Sequence, residues 1–275
     1  KLHQEGLKYI IHLAALKSIP ESIQYPELYY DVNVNGTENL IKLAIKYHIP
    51  KFVFSSTAAV YAGIPENTGY KESDAQEIDK LGHPYAKTKR KCELLLQDYS
   101  RHNKDIQIVA LRYFNPVGNV KEGTIGERML MGHSTGLMFQ LGSTYLGKNK
   151  HFKLYGTDYL ESDDGTAMRD FINVEDLAES HLAIINKIKN NGYYCYNVGT
   201  GKPISVKKLV DTFSRLTDKN IPIIEEPRRT GDQAIVYANI SLLKKDVNWQ
   251  CSRHLDTSCQ NFLNRCQYLE GLINI

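Results

Sequence analysis

Tyr85 and Lys89 stand four residues apart in the run Tyr85-Ala86-Lys87-Thr88-Lys89. On a helix that spacing puts both side chains on one face. A tyrosine works as a proton acceptor only when its pKa, ordinarily about 10, is brought down toward neutrality. A nearby ammonium acts in that direction, because it favours the phenolate. Many helices carry such a pair on their surface by chance, so the spacing alone points to nothing. Its context does: Ser55-Ser56-Thr57 closes the apolar run Lys51-Phe52-Val53-Phe54. That places hydroxyls at a strand end, where open α/β sheets hold their ligands. Thr57 can donate to a substrate oxygen and relay its proton. The chemistry assembled by Thr57, Tyr85 and Lys89 is proton transfer at a substrate oxygen.

Elements of a definite kind must hold these groups together. Residues 9–13 read as a buried strand. Leu40, Ile41, Ala44 and Ile45 recur at helical spacing within 33–48, and Pro50 stops that helix. A strand at 51–55 follows, then a helix over 84–101 opened by Pro84, whose missing N–H has no partner in a first turn anyway. A strand at 106–113 completes the series. This alternation predicts an α/β fold with right-handed crossovers and a doubly wound parallel sheet. The rhythm breaks at Gly118, because 118–165 holds nine of the 19 glycines and reads as loops with short elements. Helices at 174–187, 205–216, 241–249 and 255–268, with a strand at 194–198, complete the pattern. The expected division is 1–118, the sheet with the chemistry, and 119–275, a smaller mixed α/β substrate domain. The chain is expected to cross back to the first part around 165–200.

The composition narrows the class. The chain of 275 residues is 42% hydrophobic and 24% charged, as in an ordinary globular protein. Its 34 basic and 31 acidic residues are not gathered into runs of one sign, so they give no argument for nucleic acid or membrane. No apolar stretch is long enough to span a bilayer, and no signal peptide opens the chain. Cys92, Cys195, Cys251, Cys259 and Cys266 lack the spacing of a zinc site and read as reduced thiols of a cytoplasmic protein, with no metal. A strand so soon after Lys1, without an initiator Met, predicts a fragment that has lost the first strands of its sheet.

Longer motifs extend the pattern. They are Ile11-His12-Leu13-Ala14-Ala15-Leu16-Lys17, Tyr29-Tyr30-Asp31-Val32-Asn33-Val34-Asn35-Gly36-Thr37 and the run from Phe52 to Tyr61. Downstream come Leu111-Arg112-Tyr113-Phe114-Asn115-Pro116-Val117-Gly118, Asp164-Gly165-Thr166-Ala167-Met168-Arg169-Asp170-Phe171-Ile172, Tyr196-Asn197-Val198-Gly199-Thr200-Gly201 and Arg228-Arg229-Thr230-Gly231-Asp232. With them the chain resembles the extended short-chain dehydrogenase/reductase family, Rossmann-like in fold, and within it the branch that epimerises UDP-sugars at C4. The resemblance covers nearly the whole chain. It implies NAD as cofactor, a UDP-glucose or UDP-galactose substrate and a homodimer paired through the helices near 35–48 and 84–101. It implies that Tyr85 takes the C4 hydroxyl proton while NAD+ takes the C4 hydrogen, which returns on the opposite face after the ketose turns over. The positive nicotinamide ring joins Lys89 in favouring the phenolate. The resemblance also assigns Leu13, Ala14, Ala15, Lys17, Asn33, Ser55, Ser56, Tyr85, Lys89 and Tyr113 to the cofactor. Thr57, Phe114, Asn115, Leu137, Tyr155, Arg169, Arg229, Asp232 and Val236 fall to the UDP-sugar. Guanidinium forks suit a diphosphate, although each arginine could instead pair with Asp170 or Asp232.

The chain departs from the family pattern in places. No strand here ends in Gly-x-x-Gly-x-x-Gly, the turn that approaches a pyrophosphate. The expectation is that the polypeptide as given binds NAD poorly and folds poorly alone. The segment 127–147 diverges from the family, and Gly136 stands where an amide is expected beside Leu137. Thr57 replaces a usual Ser, and Asn173 a usual His for no reason visible in the sequence. Val236 occupies a gating position of the sugar pocket; its small side chain leaves room for an N-acetyl group, so UDP-N-acetylhexosamines are expected substrates too. Two rivals remain. A dehydratase or decarboxylase of the same scaffold needs further acid–base groups beside Thr57, where Ala58-Ala59 stands. A non-catalytic binding protein would not need Thr57, Tyr85 and Lys89 intact.

Overall fold

The apolar runs at 52–54 and 108–111 are too continuous for strands with one wet face, and the structure buries them on both sides. The computed structural model describes residues 6–126 and 136–273, apart from 64, 66, 218 and 230. Its first part runs β1 (Ile10–His12), α1 (Ile19–Gln24), α2 (Pro26–Tyr29), a π-helical turn (Tyr30–Asn35) and α3 (Gly36–Lys46). It continues with β2 (Lys51–Thr57), α4 (Pro84–His102) and β3 (Gln107–Tyr113). Then come β4 (Asn115–Val117), α5 (Leu137–Tyr145), β5 (Phe152–Tyr155), β6 (Met168–Arg169), β7 (Phe171–Asn173) and α6 (Val174–Lys187). The last elements are β8 (Gly192–Val198), β9 (Ile204–Ser205), α7 (Val206–Leu216), β10 (Ile223–Glu226), β11 (Ile235–Val236), α8 (Ser241–Val247) and α9 (Leu255–Ile273).

Strands β1, β2, β3 and β8 lie side by side in that order, all parallel. Alternation along β2 and β3 feeds two cores. Phe52, Phe54, Ile108 and Ala110 pack with Ile41 and Ala44 of α3 and Cys92 and Leu96 of α4. Val53, Val109 and Leu111 face Leu177, Ile184 and Ile185 of α6 and Leu243 and Val247 of α8. The sheet is thus doubly wound, as the sequence predicts. A separate core joins α5, α7, α9 and β5 through Phe139, Leu141, Phe152, Phe213 and Phe262. Three small sheets pair β5 with β10, β4 with β7, and β6 with β9 and β11. Among the described residues no helix is long and apolar enough to cross a membrane.

Several elements differ from expectation. The helix predicted from residue 33 begins earlier and passes through the π-helical turn, a local widening that recurs at functional sites. Here it leaves the Asn33 carbonyl to accept from the Thr37 hydroxyl at 2.6 Å and from the Cys92 thiol at 3.2 Å. Strand β5 and helix α5 lie in the glycine-rich stretch expected to be mostly loop. Asn173, unexplained in the sequence, caps α6: its side-chain oxygen accepts from the Glu175 N–H at 2.8 Å and its amide donates to Ser258 at 3.0 Å. Residues 127–135 of the divergent segment lie outside the described residues.

Beneath the sheet's C-terminal edge a buried ion pair fastens α4 to the strands. Glu93 of α4 takes two bonds of 2.8 Å from the Arg112 guanidinium of β3, one of 3.0 Å from Arg90 and one of 2.5 Å from the Ser56 hydroxyl of β2. Removing one partner strands a buried charge, so Arg112→Met lowers the unfolding free energy by about 3–5 kcal/mol in urea denaturation. These cations hold the Glu93 carboxyl below its ordinary 4.5 despite full burial. Stability from such a depressed group is present above the unfolded pKa and lost as pH falls through the folded one. The advantage of the native chain over Glu93→Gln therefore shrinks steadily below pH 4.5.

Candidate active site

Two elements deliver the proton-transfer groups to one place. Thr57 ends β2, in register with Tyr113 at the end of β3. Tyr85 lies in the first turn of α4, and Lys89 follows one turn later. The Thr57 hydroxyl stands near enough to the Tyr85 phenol to favour its ionised form. Lys89 is 3% exposed and donates to the Ser55 carbonyl at 2.7 Å, its ammonium 4.8 Å from the Phe54 ring centre. Burial lowers its pKa to about 8. No carboxylate forms an ion pair with it among the described residues; Glu93, four residues on, is occupied by Arg112, Arg90 and Ser56.

One electrostatic expectation needs correction. Burial pushes the Tyr85 phenol above its ordinary value, and the nearby Thr57 hydroxyl offsets this only in part. The Lys89 ammonium gives one hydrogen bond to the Ser55 carbonyl, and with it one turn away the phenol still stays above its ordinary value. Tyr113 stands beside Tyr85 and is likewise pushed by burial to about 12, an effect the nearby Ser55 hydroxyl offsets only in part. Its hydroxyl lies 2.6 Å from Nε2 of His181, whose Nδ1 is 2.8 Å from the Leu177 carbonyl. A carbonyl can only accept, so Nδ1 carries the proton and Nε2 accepts from Tyr113.

The remaining cofactor candidates divide into two groups. Leu13 is 60% exposed beyond β1, with Ala14 and Lys17 exposed and Ala15 half-buried. Lys17 lines a cleft of about 430 Å³ with Val117, Gly118, Asn119, Met138 and Phe262. Asn33 and Ser56, by contrast, are turned into the protein. Asn33 is 1% exposed and clasps Leu16, accepting from its N–H at 2.8 Å and donating to its carbonyl at 3.0 Å. It fixes the loop after β1. Ser56 points to the opposite face of β2 from Ser55 and Thr57, and gives its hydroxyl to Glu93.

Among the residues expected to meet the UDP-sugar, Arg169 and Arg229 converge on Asp232 at 2.5 and 3.3 Å. The Arg229 guanidinium sits 4.8 Å from the centre of the Tyr155 ring. Asp170 is not the counter-ion of either arginine. It is fully buried and accepts from the Thr200 N–H and hydroxyl at 2.7 and 2.6 Å, the Gly201 N–H at 2.9 Å and the Ala238 N–H at 3.1 Å. A Cβ on Gly199 would lie 2.5 Å from its carboxylate, so only glycine fits there. Phe114 and Val236 share an apolar cluster with Ala58, Val60, Tyr61 and Tyr70. Asn115 begins β4 and is tied to the Asp170 carbonyl through its N–H at 2.9 Å, while Leu137 opens α5. Thr230, inside the arginine motif, lies outside the described residues. Sequence reasoning did not single out His181, His83 or Glu93, because their partners come from elements distant in the chain or from ring stacking.

The buried ammonium sets a pH signature. Lys89 titrates near 8 when folded, against 10.5 in an open chain, so between these values the unfolded state binds more protons. Stability then rises with pH. Across that window the native chain gains stability relative to Lys89→Met, as thermal melts at stepped pH values will read.

A family model for the NAD dependent epimerase/dehydratase family matches residues 1–199. UDP-glucose 4-epimerase 2 of Arabidopsis thaliana is 36% identical over 257 residues, 93% of this chain and 72% of that protein. A UDP-glucose 4-epimerase of Caenorhabditis elegans is 38% identical over 258 residues, 93% of this chain and 73% of that protein. Among solved structures, the UDP-glucose 4-epimerase of Bifidobacterium longum in complex with NAD+ and UDP superposes with a TM-score of 0.88 at 34% identity, covering 97% of this chain and 78% of that one. With the parallel sheet and the Thr57, Tyr85 and Lys89 set at its C-terminal edge, these similarities establish that the chain belongs to the NAD dependent epimerase/dehydratase family.

Proposed function

We propose that this chain carries the catalytic groups of an NAD-dependent UDP-hexose 4-epimerase, which interconverts UDP-glucose and UDP-galactose. The observation that carries the reading is the placing of Thr57 beside the Tyr85 phenol at the end of β2, with a buried ammonium one helical turn away. The residues present suit the nicotinamide–ribose end of NAD. Lys89 has one carbonyl acceptor and no ion-pair partner among the described residues, which leaves ammonium protons for ribose hydroxyls. Tyr113, held by His181, stands ready as a wall for the ring. When bound, NAD+ supplies the acceptor that takes hydrogen from C4 and returns it, and a positive ring that pulls the Tyr85 phenol down.

Tyr85 takes the C4 hydroxyl proton at its phenolic oxygen, and Thr57 donates to the same sugar oxygen and relays the proton. Arg169 and Arg229 grip the diphosphate, Asp232 accepts from a ribose hydroxyl and Tyr155 lies against uracil. Phe114, Asn115, Leu137 and Val236 line the sugar's space, while Leu13, Ala14, Ala15 and Lys17 border the cofactor. Asn33 and Ser56 act behind them as supports. The nucleotide is thus held by charge and the sugar by apolar contact, so the 4-ketose can turn over while it stays attached. We divide the work between 1–118 for the cofactor and 119–275 for the UDP-sugar. The active form we propose is a cytoplasmic homodimer: Val32, Leu43, Tyr47 and Leu94 expose apolar surface on and beside α3 and α4, and all five cysteines are free thiols.

A wider substrate range has its own support in Val236. It is buried against Phe114 and Ala58, with a side chain smaller than any aromatic, which makes room for an N-acetyl group at the sugar.

Two outcomes follow for the NAD-loaded enzyme. Tyr85→Phe lowers kcat for UDP-galactose by about 10²- to 10⁴-fold with little change in KM, and an unaltered kcat would refute the assignment. Val236→Tyr abolishes turnover of UDP-N-acetylglucosamine while UDP-galactose turnover stays within about threefold of native. Equal losses on both sugars would place the selectivity elsewhere.

A further inference from the structure

Tyr85 is the second residue of α4, in the one turn of a helix whose N–H groups have no partners within the helix. A base placed there moves whenever that turn frays. The residue that closes the turn is His83. Its extended backbone, with φ −152° and ψ 155°, is the conformation favoured before a proline. Its Nδ1 accepts the Ala86 N–H at 3.2 Å, and its carbonyl accepts from the Lys87 N–H at 3.2 Å. The same ring lies parallel to the Tyr85 phenol, 3° between planes and 6.1 Å between centres, within the range of offset stacking. An acceptor at Nδ1 is unprotonated. Partial burial and the positive end of the helix dipole both oppose a charge on this ring.

We propose that His83 is a positioning residue for Tyr85: the ring that caps α4 at Ala86 also sets the plane of the phenol and shields it from water. Cap and stack reside in one side chain, so the turn and the base are fixed together. Lys89, a turn further on and tied to the Ser55 carbonyl, is held independently of this cap. Loss of His83 therefore loosens the base and leaves the ammonium in place. This rests on the reading of Tyr85 as the proton acceptor.

Two substitutions separate the contributions. His83→Asn keeps a capping oxygen without the ring, and His83→Phe keeps a ring without the cap. In the NAD-loaded full chain, His83→Ala is expected to lower kcat about tenfold with KM for UDP-galactose within about twofold. The Asn and Phe variants each recover part of that loss, and they carry the test if the alanine variant does not fold. A second readout needs no activity. With ¹³C-labelled tyrosine, the Tyr85 signal is identified by its absence in Tyr85→Phe, and its alkaline titration is followed by NMR. Burial holds that phenol above its ordinary 10; its midpoint should fall toward 10 in His83→Ala and His83→Asn and hold in His83→Phe. A kcat within twofold of native in both His83→Asn and His83→Phe, a rise in KM at constant kcat, or a titration that ignores the ring overturns the proposal. A native chain that holds NAD yet turns over no UDP-galactose would remove the epimerase reading, and the titration would still decide the role of His83.

Discussion

The contact between Glu93 and Arg112 joins the elements on which every proposed catalytic group rides. Glu93 continues the stripe of α4 that starts with Tyr85 and Lys89, so the helix face that carries the chemistry also carries its own anchor. Through that carboxylate α4 is fixed to Ser56 on β2 and to Arg112 on β3. Arg112 in turn donates to the Tyr61 hydroxyl at 2.9 Å and the Glu72 carbonyl at 2.6 Å. Tyr61 stacks on Tyr70 with 4.7 Å between ring centres and donates to Asn197 of β8 at 2.5 Å. A buried pair offsets its desolvation only when its remaining lone pairs and protons are used. Here they are used, and the bonds reach each strand that frames the site except β1.

That saturation has an electrostatic consequence. Because Glu93 is fully engaged, Lys89 is left with a carbonyl for company, and a buried ammonium without a carboxylate is a standing cost. The cost is the reverse side of readiness, since its remaining protons face no competitor when a polyol arrives. Tyr85 shows the same logic with opposite sign. Burial keeps it protonated in the free chain, so its reactivity depends on a positive charge arriving with the cofactor. Elsewhere, Arg169 and Arg229 share Asp232. One carboxylate cannot neutralise two guanidiniums, and the excess positive charge suits a diphosphate.

Much of this was legible beforehand. The period of apolar residues and the punctuation at Pro50 and Pro84 placed β2, α4 and β3. Other features had no local signal. The π-helical turn before α3 depends on where the Asn33 carbonyl is needed by Thr37 and Cys92. Asn33 and Ser56 sit in motifs that suggest ligand contact, yet their side chains are committed to Leu16 and Glu93. Which face of a strand a hydroxyl takes is settled by the parity of the strand and by what packs on each side. Asn173 looked arbitrary until its amide was seen bridging the start of α6 and Ser258.

By itself the sequence determined the alternating α/β order, the pairing of Tyr85 with Lys89 on one helix face and the family motifs, because each rests on spacing within one element. The tertiary structure alone decided how those groups are charged and held. It set the Tyr85 phenol high by burial, gave Lys89 a carbonyl in place of a carboxylate, turned both arginines to Asp232 instead of Asp170, and laid His83 against Tyr85. Desolvation and partner choice depend on everything that packs around a group, most of it far away in the chain, and no local pattern encodes them.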